Sequence, residues 1–328
     1  MIITKTPFRV SFAGGGSDMA NFYEQHGGCV LSTSINKYCY LSIHPYFDEN
    51  ATLLKYSENE LVTDISKIKH RIFNSVLNEY KVSGVEISST TDVPGGTGLG
   101  SSSTFTVGLL NTIACYRGKF MSKGELAAKA CDVEINKLGG PIGKQDQYAA
   151  AYGGLNFIRF NQDGSVSVEP IVMQPGTYKE LEKHLVMFYT GNTRSANSIL
   201  KEQKKNIDDA AKAENLKQMC HLAEQMKGAL EQNDLSSFGE LLNDGWALKR
   251  TLASGISNPA IDEAYEIAMK NGALGGKLLG AGGGGFLLFF CEPEKQEQLR
   301  VALGLRRFDF SFERDGASVV YIGDKYWG

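Results

Sequence analysis

With 328 residues, 42% of them hydrophobic, the chain is long enough to bury a sizeable core and to form two modest domains or one large one. Its 34 Lys+Arg against 37 Asp+Glu give a net charge of -3, which excludes a global field suited to nucleic acid or to an anionic membrane. The longest apolar run, Phe286 to Cys291, is far short of the ~20 residues a membrane helix needs, and Met1 to Lys5 lacks a signal-peptide layout, so a cytoplasmic protein with no membrane partner is expected.

Residues 1–12 alternate and are β-branched enough for a strand, after which Ala13-Gly14-Gly15-Gly16-Ser17-Asp18 turns the chain into a short helix near Met19–Gln25. Two strands are expected at about 29–46. Ile65, Ile68, Ile72, Val76, Leu77 and Tyr80 fall at helical spacing, and Val85-Glu86-Ile87 restarts a strand.

That strand delivers the chain to Pro94-Gly95-Gly96-Thr97-Gly98-Leu99-Gly100-Ser101-Ser102-Ser103 and then to the apolar stretch Phe105, Val107, Leu109, Leu110. Glycines let a backbone approach a bulky anion without Cβ clashes, serines add hydroxyl donors, and the helix that follows points its unpaired N–H groups and positive dipole end at the same place. The segment lacks the Gly-Lys-Ser/Thr ending of a Walker loop, and its glycine spacing does not follow the dinucleotide fingerprint. A flexible linker is the alternative, but linkers are rarely joined directly to a helical apolar run. Pro94, Gly96, Gly98, Leu99, Gly100, Ser101, Ser102 and Ser103 are therefore expected to bind phosphate.

Helices are expected over about 103–117 and 123–137, the second opened by the capping box Ser122/Glu125. Gly139, Gly140, Pro141 and Gly143 break it before Lys144-Gln145-Asp146-Gln147 starts another short apolar turn. A strand at Leu185–Thr190 precedes a helical stretch over about 194–253, interrupted near Gln232-Asn233-Asp234. Strand, glycine loop and strand follow at Ala273–Leu279, Gly280–Gly285 and Phe286–Cys291, then a helix near 294–303 and strands at about 307–312 and 318–322. A boundary near Gln174-Pro175-Gly176 divides the chain into 1–176 and 177–328, two α+β halves. The six cysteines form no C-x-x-C pair and have no histidine at ligand spacing, so any metal should be hard and oxygen-bound.

Pro7-Phe8-Arg9-Val10-Ser11-Phe12-Ala13-Gly14-Gly15-Gly16-Ser17-Asp18, the cradle at 94–103, and Lys277-Leu278-Leu279-Gly280-Ala281-Gly282-Gly283-Gly284-Gly285-Phe286 resemble, in order and spacing, the three motifs of the GHMP kinases. The resemblance covers nearly the whole chain. It implies a two-domain α+β fold, with an N-terminal ribosomal-protein-S5-like α/β domain and a C-terminal ferredoxin-like α+β domain. It also implies ATP as phosphoryl donor and Mg²⁺ held by Ser102 and Glu134, with Asp132 the nearby alternative to Glu134. One hydroxyl, one carboxylate and phosphate oxygens suffice for magnesium, which keeps several waters.

By the same resemblance Asp146 is the aspartate that orients the acceptor hydroxyl and takes its proton, and Arg9 the basic residue beside the transferred group. Asp18, with Gly15, Gly16 and Ser17, matches the family's sugar-binding segment. Galactokinases carry a Glu-His pair where Gly15 and Gly16 stand, which argues against galactose and for a differently shaped or larger sugar. Within the family the chain is most similar to the D-glycero-D-manno-heptose 7-phosphate kinases, through its triple-glycine first motif and the segment Tyr189 to Arg194, and next to the L-fucokinases.

A small-molecule sugar phosphate acceptor needs a second anion site, for which Arg194 at a helix start is the first choice. Lys201, Lys204 and Lys205 share a helical face that either assists or is simply solvated, and Lys144 is a further anchor or a modulator of Asp146. Gly282 and Gly283 belong to the element that closes over phosphate loop and substrate, or to a tight β-hairpin, or to both. A catalytically silent sugar sensor is the alternative from another class, and the protein is expected as a monomer or homodimer.

Overall fold

The computed structural model describes residues 1–191, 197–207 and 209–323. The alternating opening becomes β1 (Ile2–Ala13), buried without interruption from Thr6 onward. Its burial has a direct cause: α3 (Ser101–Tyr116) and α5 (Gln145–Tyr152) pack on it from the first half of the chain, α8 (Ala210–Glu231) and α9 (Leu235–Arg250) from the second. A charged residue within such a strand must find partners, which singles out Arg9.

The expected pair of strands over 29–46 is one strand, β2 (Gly28–Pro45). It stays continuous because it changes partner midway: Gly28–Thr33 pair with β6 (Leu155–Phe160) and Cys39–Pro45 with β5 (Val85–Thr91). A hairpin absent from the sequence reading, β3 (Thr52–Lys55) and β4 (Asn59–Val62), extends the sheet beyond β5, and β7 (Val166–Pro170) pairs β6. The helix expected over 65–80 is a 3-10 turn at Ile65–Lys67 followed by α2 (Arg71–Tyr80). Glu60 accepts the N–H groups of Lys69 and His70, and the His70 side chain caps α2, so a continuous helix is interrupted there.

The second sheet is antiparallel, in the order β11 (Arg306–Phe308), β8 (Leu185–Tyr189), β10 (Phe286–Cys291), β9 (Ala273–Leu278). Position 176 lies in the first turn of α6 (Pro175–His184), and the chain beyond it builds this sheet before returning β12 (Phe312–Glu313) and β13 (Ser318–Ile322) to β2 and β1 of the first. The single strand expected at 307–312 is thus two, one in each sheet. The long helical stretch is α7 (Asn197–Asn206), α8 and α9, with Asp209 and Asp234 as side-chain caps. A further helix, α10 (Pro259–Lys270), was not expected, although Asn258 caps it and Pro259 opens it. Phe12 of β1 meets Phe238 of α9 edge to face at 5.3 Å, inside a core that draws on both halves. The candidate site lies along that contact between halves.

Candidate active site

Arg9 solves its burial with three acceptors. It is 5% exposed, and its Nε and Nη2 donate to Oδ1 and Oδ2 of Asp146 at 2.8 and 2.9 Å, while Nη1 donates to the Gly98 carbonyl at 2.6 Å. A two-point guanidinium–carboxylate contact of this kind fixes direction as well as distance. The Arg9 N–H also donates to the Leu99 carbonyl at 3.2 Å, so the glycine loop is docked on β1 by backbone and side chain together.

Asp146 stands in the first turn of α5. Gly100, at φ 82° just ahead of α3, has no Cβ to fill the gap: one added there would lie 3.2 Å from Asp146 Oδ2 and 3.5 Å from Arg9 Cγ. The pair therefore borders the amino end of α3, as the family motif implied. That helix end has no side-chain cap, and the buried Ser101 Oγ has no partner among the described residues. Open N–H groups, an unsatisfied hydroxyl and room beside Gly100 fit a phosphate chain.

Ser102 Oγ donates to Glu134 Oε1 at 2.6 Å, and Gln147 Nε2 donates to Oε2 at 2.7 Å. The resemblance implied Glu134, with Asp132 its nearby alternative, and the backbone places the two differently. The expected helix over 123–137 is α4 (Lys123–Cys131) running into a π-helical turn at Asp132–Lys137, which brings Glu134 inside while Asp132 pairs with Lys129 and Lys137. Burial pushes the Glu134 carboxyl up, and the Asp146 charge acts the same way against hydrogen bonds from Ser102, Ser103 and Gln147. A hydroxyl and a carboxyl side by side at the open end of a helix are hard oxygen donors of the kind Mg²⁺ takes.

Asp18 is 2% exposed and already committed to three donors: Gly16 N–H at 2.9 Å and Gln145 Nε2 at 3.2 Å on Oδ1, and Gln145 N–H at 3.0 Å on Oδ2. Burial pushes its carboxyl up as well, the Asp146 charge adding to the effect. It ties the first motif to the head of α5 and keeps capacity for a further hydroxyl. Beside it Gly15 opens toward Gln145 and Ser11, whose Oε1 and Oγ are buried and unpartnered among the described residues. These two residues escaped the sequence reading, although Gln145 adjoins Asp146.

Other expected residues are placed differently. Ser17 Oγ donates to the carbonyls of Gly14 and Cys29 and accepts from Cys29 N–H, so it braces the turn instead of facing a ligand. Gly16, at φ 104°, faces Leu216. Lys144 turns away, donating to the Gly164 carbonyl at 2.8 Å with its ammonium 4.5 Å from the Tyr23 ring centre. Gly282 and Gly283 pack on Ile256; the glycines of the third motif that meet the phosphate loop are Gly280, against Gly98, and Gly285, against Thr97. Pro94 accepts from Thr97 Oγ1 at 3.0 Å, and Gly96 at φ 76° shapes the same turn. Lys201, Lys204 and Lys205 are exposed on α7, and Arg194 lies outside the described residues.

Two lysines unremarked in the sequence lie beneath this arrangement. Lys249 of α9 donates to the Gly280 carbonyl at 2.5 Å, and Lys277 of β9 to the Phe12 carbonyl at 2.7 Å. Burial, reinforced by the Arg9 charge, brings Lys249 down to about 8 and carries Lys277 well below the ordinary lysine value.

Residues 66–154 match the GHMP kinases N terminal domain and residues 226–308 the GHMP kinases C terminal domain. The chain is 32% identical to a D-glycero-alpha-D-manno-heptose 7-phosphate kinase of Campylobacter jejuni, over 96% of this chain and 97% of that one. It belongs to the GHMP kinase family. A solved D-glycero-D-manno-heptose 1-phosphate kinase from Bacteroides thetaiotaomicron superposes with a TM-score of 0.80 at 27% identity, covering 99% of this chain and 100% of the other. A bifunctional fucokinase/GDP-fucose pyrophosphorylase of Arabidopsis thaliana is 27% identical over 90% of this chain and 30% of its own length. The protein is thus a GHMP-family sugar kinase, a small-molecule phosphotransferase close to the heptose phosphate kinases and further from fucokinases. Among the described residues no helix is long and apolar enough to cross a membrane.

Proposed function

We propose that this GHMP kinase transfers the γ-phosphoryl group of ATP, with Mg²⁺, to the anomeric hydroxyl of D-glycero-D-manno-heptose 7-phosphate, giving the 1,7-bisphosphate from which a nucleotide-activated heptose is made. The observation that carries the reading is the Arg9–Asp146 pair at the open amino end of α3. The heptose phosphate named for the Campylobacter jejuni relative supports the choice of acceptor.

In this reading the terminal phosphoryl group lies against the uncapped start of α3, where backbone N–H groups and the serine hydroxyls receive its oxygens. The acceptor hydroxyl donates to the Asp146 carboxylate. Its oxygen forms the new bond to phosphorus as the bond to the ADP oxygen breaks, and the proton passes to Asp146. Arg9 holds that carboxylate in line and neutralises charge spread over the transferring oxygens. Ser102 and Glu134 would hold Mg²⁺, which when bound offsets the negative charge of the phosphates. Gly15, Ser11, Gln145 and Asp18 form the wall offered to the sugar hydroxyls.

The test is product formation from ATP and Mg²⁺ with a panel of sugars and sugar phosphates. Heptose 7-phosphate is expected to be consumed with one ADP released per bisphosphate. Turnover of L-fucose or another free sugar with heptose 7-phosphate inert would overturn the acceptor and leave the kinase assignment standing.

A further inference from the structure

The last turn of α9 carries Lys249 into a place where an isolated cation is disfavoured. The residue is 6% exposed, and among the described residues its Nζ donates only to carbonyls, Gly280 at 2.5 Å and Leu278 at 3.5 Å. Asp146 and Asp18 act on it electrostatically, but Asp146 is engaged by Arg9, and Asp18 by Gly16 and Gln145. Arg9 from β1 and Lys277 from β9 are the other basic side chains near the same place, and Arg250, next to Lys249 on α9, is taken by Asp262 at 3.2 Å. Lys249 and Arg9 therefore share one buried place with Asp146 and Asp18, whose oxygens are already engaged by other donors. A buried ammonium held by carbonyls and facing no carboxylate of its own is a group that an arriving anion would complete.

The contacts run in series. Lys249 holds the Gly280 carbonyl, Gly280 rests on Gly98, and Gly98 accepts from the same guanidinium that grips Asp146. Resting on the kinase reading above, we propose that Lys249 is a positioning residue for phosphoryl transfer: it pins the third glycine loop against Thr97 and Gly98, and its charge is completed by a phosphoryl group arriving beside Arg9. That group belongs either to the nucleotide or to a phosphorylated acceptor, and the two are separated by experiment.

The first test counts protons. The Mg²⁺ complex of the β,γ-imido analogue of ATP is titrated calorimetrically into the wild-type protein and Lys249→Gln near pH 8, in two buffers of different ionisation enthalpy. Lys249 lies at about 8 without ligand, and a neighbouring phosphoryl anion strengthens its hold on the proton, so wild type should take up roughly half a proton more than the variant. The same excess with heptose 7-phosphate alone, and none with the nucleotide, assigns the acceptor's phosphate. No excess with either ligand overturns the proposal. Nucleotide binding does not depend on which sugar is the acceptor, so a wrong acceptor leaves this readout intact, while failure of the kinase reading appears as no nucleotide binding by wild type.

The second test is kinetic. Lys249→Met should lower kcat at least tenfold, roughly the effect of 1.4 kcal/mol. It should also raise KM for ATP, and Lys249→Gln, which still has a donor for the Gly280 carbonyl, should restore KM but not kcat. A Gln variant as fast as wild type overturns the role of charge, and variants altered only in melting temperature overturn the positioning role. Should neither variant fold, proton uptake by wild type measured from pH 7 to 9 still decides, since uptake that does not rise through this range overturns the proposal.

Discussion

Arg9 and Asp146, 137 positions apart, meet through two parallel hydrogen bonds of 2.8 and 2.9 Å at the head of the helix that follows the glycine loop. The geometry leaves Asp146 partly accessible, with a quarter of its side chain exposed (24%), while Arg9 is closed off at 6%. One partner is thus a fixed support and the other a surface open to a hydroxyl. Asp146→Asn retains an acceptor for Arg9 but has no carboxylate to take a proton. It should lower kcat by about 10²- to 10⁴-fold with little change in nucleotide affinity, measured by steady-state rates and by calorimetry. A rate within a few-fold of wild type would move proton transfer to another residue.

Ser102 Oγ donates to Glu134 Oε1 at 2.6 Å, and Gln147 also donates to that carboxyl, so alanine at 102 leaves it with a donor. In the proposed reading its hydroxyl is on the metal side of the site. Ser102→Ala should raise the Mg²⁺ concentration needed for half-maximal rate about tenfold or more and should leave the melting temperature within about 2 °C of wild type. An unchanged magnesium dependence with a lower melting temperature would make the contact structural.

Gly280 has no room for a side chain. At φ 72°, a Cβ there would come within 2.3 Å of the Gly98 Cα, so alanine must push the third motif off the phosphate loop. Gly280→Ala should weaken nucleotide binding strongly and destabilise the protein by roughly 1–3 kcal/mol. Gly228, in α8 with nothing within 4 Å of its own virtual Cβ, is the control: Gly228→Ala should be as active as wild type and slightly more stable. Equal behaviour of the two variants in nucleotide binding would remove the loop contact from the account.

The parts of this site legible in the sequence are those whose chemistry is local. Gly98 to Ser103 can be read within one loop, because the groups proposed to meet phosphate are its own backbone and hydroxyls. Ser122 and Asp234 cap helices from one residue outside them, and both were readable. Asn258 and Pro259 gave the same kind of signal for α10 and were passed over. What local pattern does not encode is direction and distant partnership. Lys144 and Gln145 are neighbours, yet one turns to Gly164 and the other to Asp18. Ser17 looks like a ligand donor in a glycine turn and spends its hydroxyl on Cys29. Lys249 is brought near Arg9 by the packing of α9 on β9 and β1, which no motif spacing records.

Glu134 combines stability and function in opposite senses. Its carboxyl is raised by burial, so the folded protein binds its proton more tightly than the unfolded chain does. The favourable contribution is then fully present below the unfolded value of 4.5 and is lost as pH rises through the higher folded value. Glu134→Gln removes the ionisable group and can keep both contacts. Ser102 still donates to an oxygen, and Gln147, whose Oε1 is buried without a partner among the described residues, can turn its amide to accept from the new NH₂ group. Without metal, Glu134→Gln should therefore melt higher than wild type at pH 7, by on the order of 1–3 °C, and the advantage should shrink as pH falls toward 4.5. The same variant should lose most of its magnesium-dependent turnover. Thermal melts of the two proteins between pH 4.5 and 7, run in chelator, check the first part. A variant less stable than wild type across the whole range would mean that the carboxylate holds the fold together and is not kept at its expense.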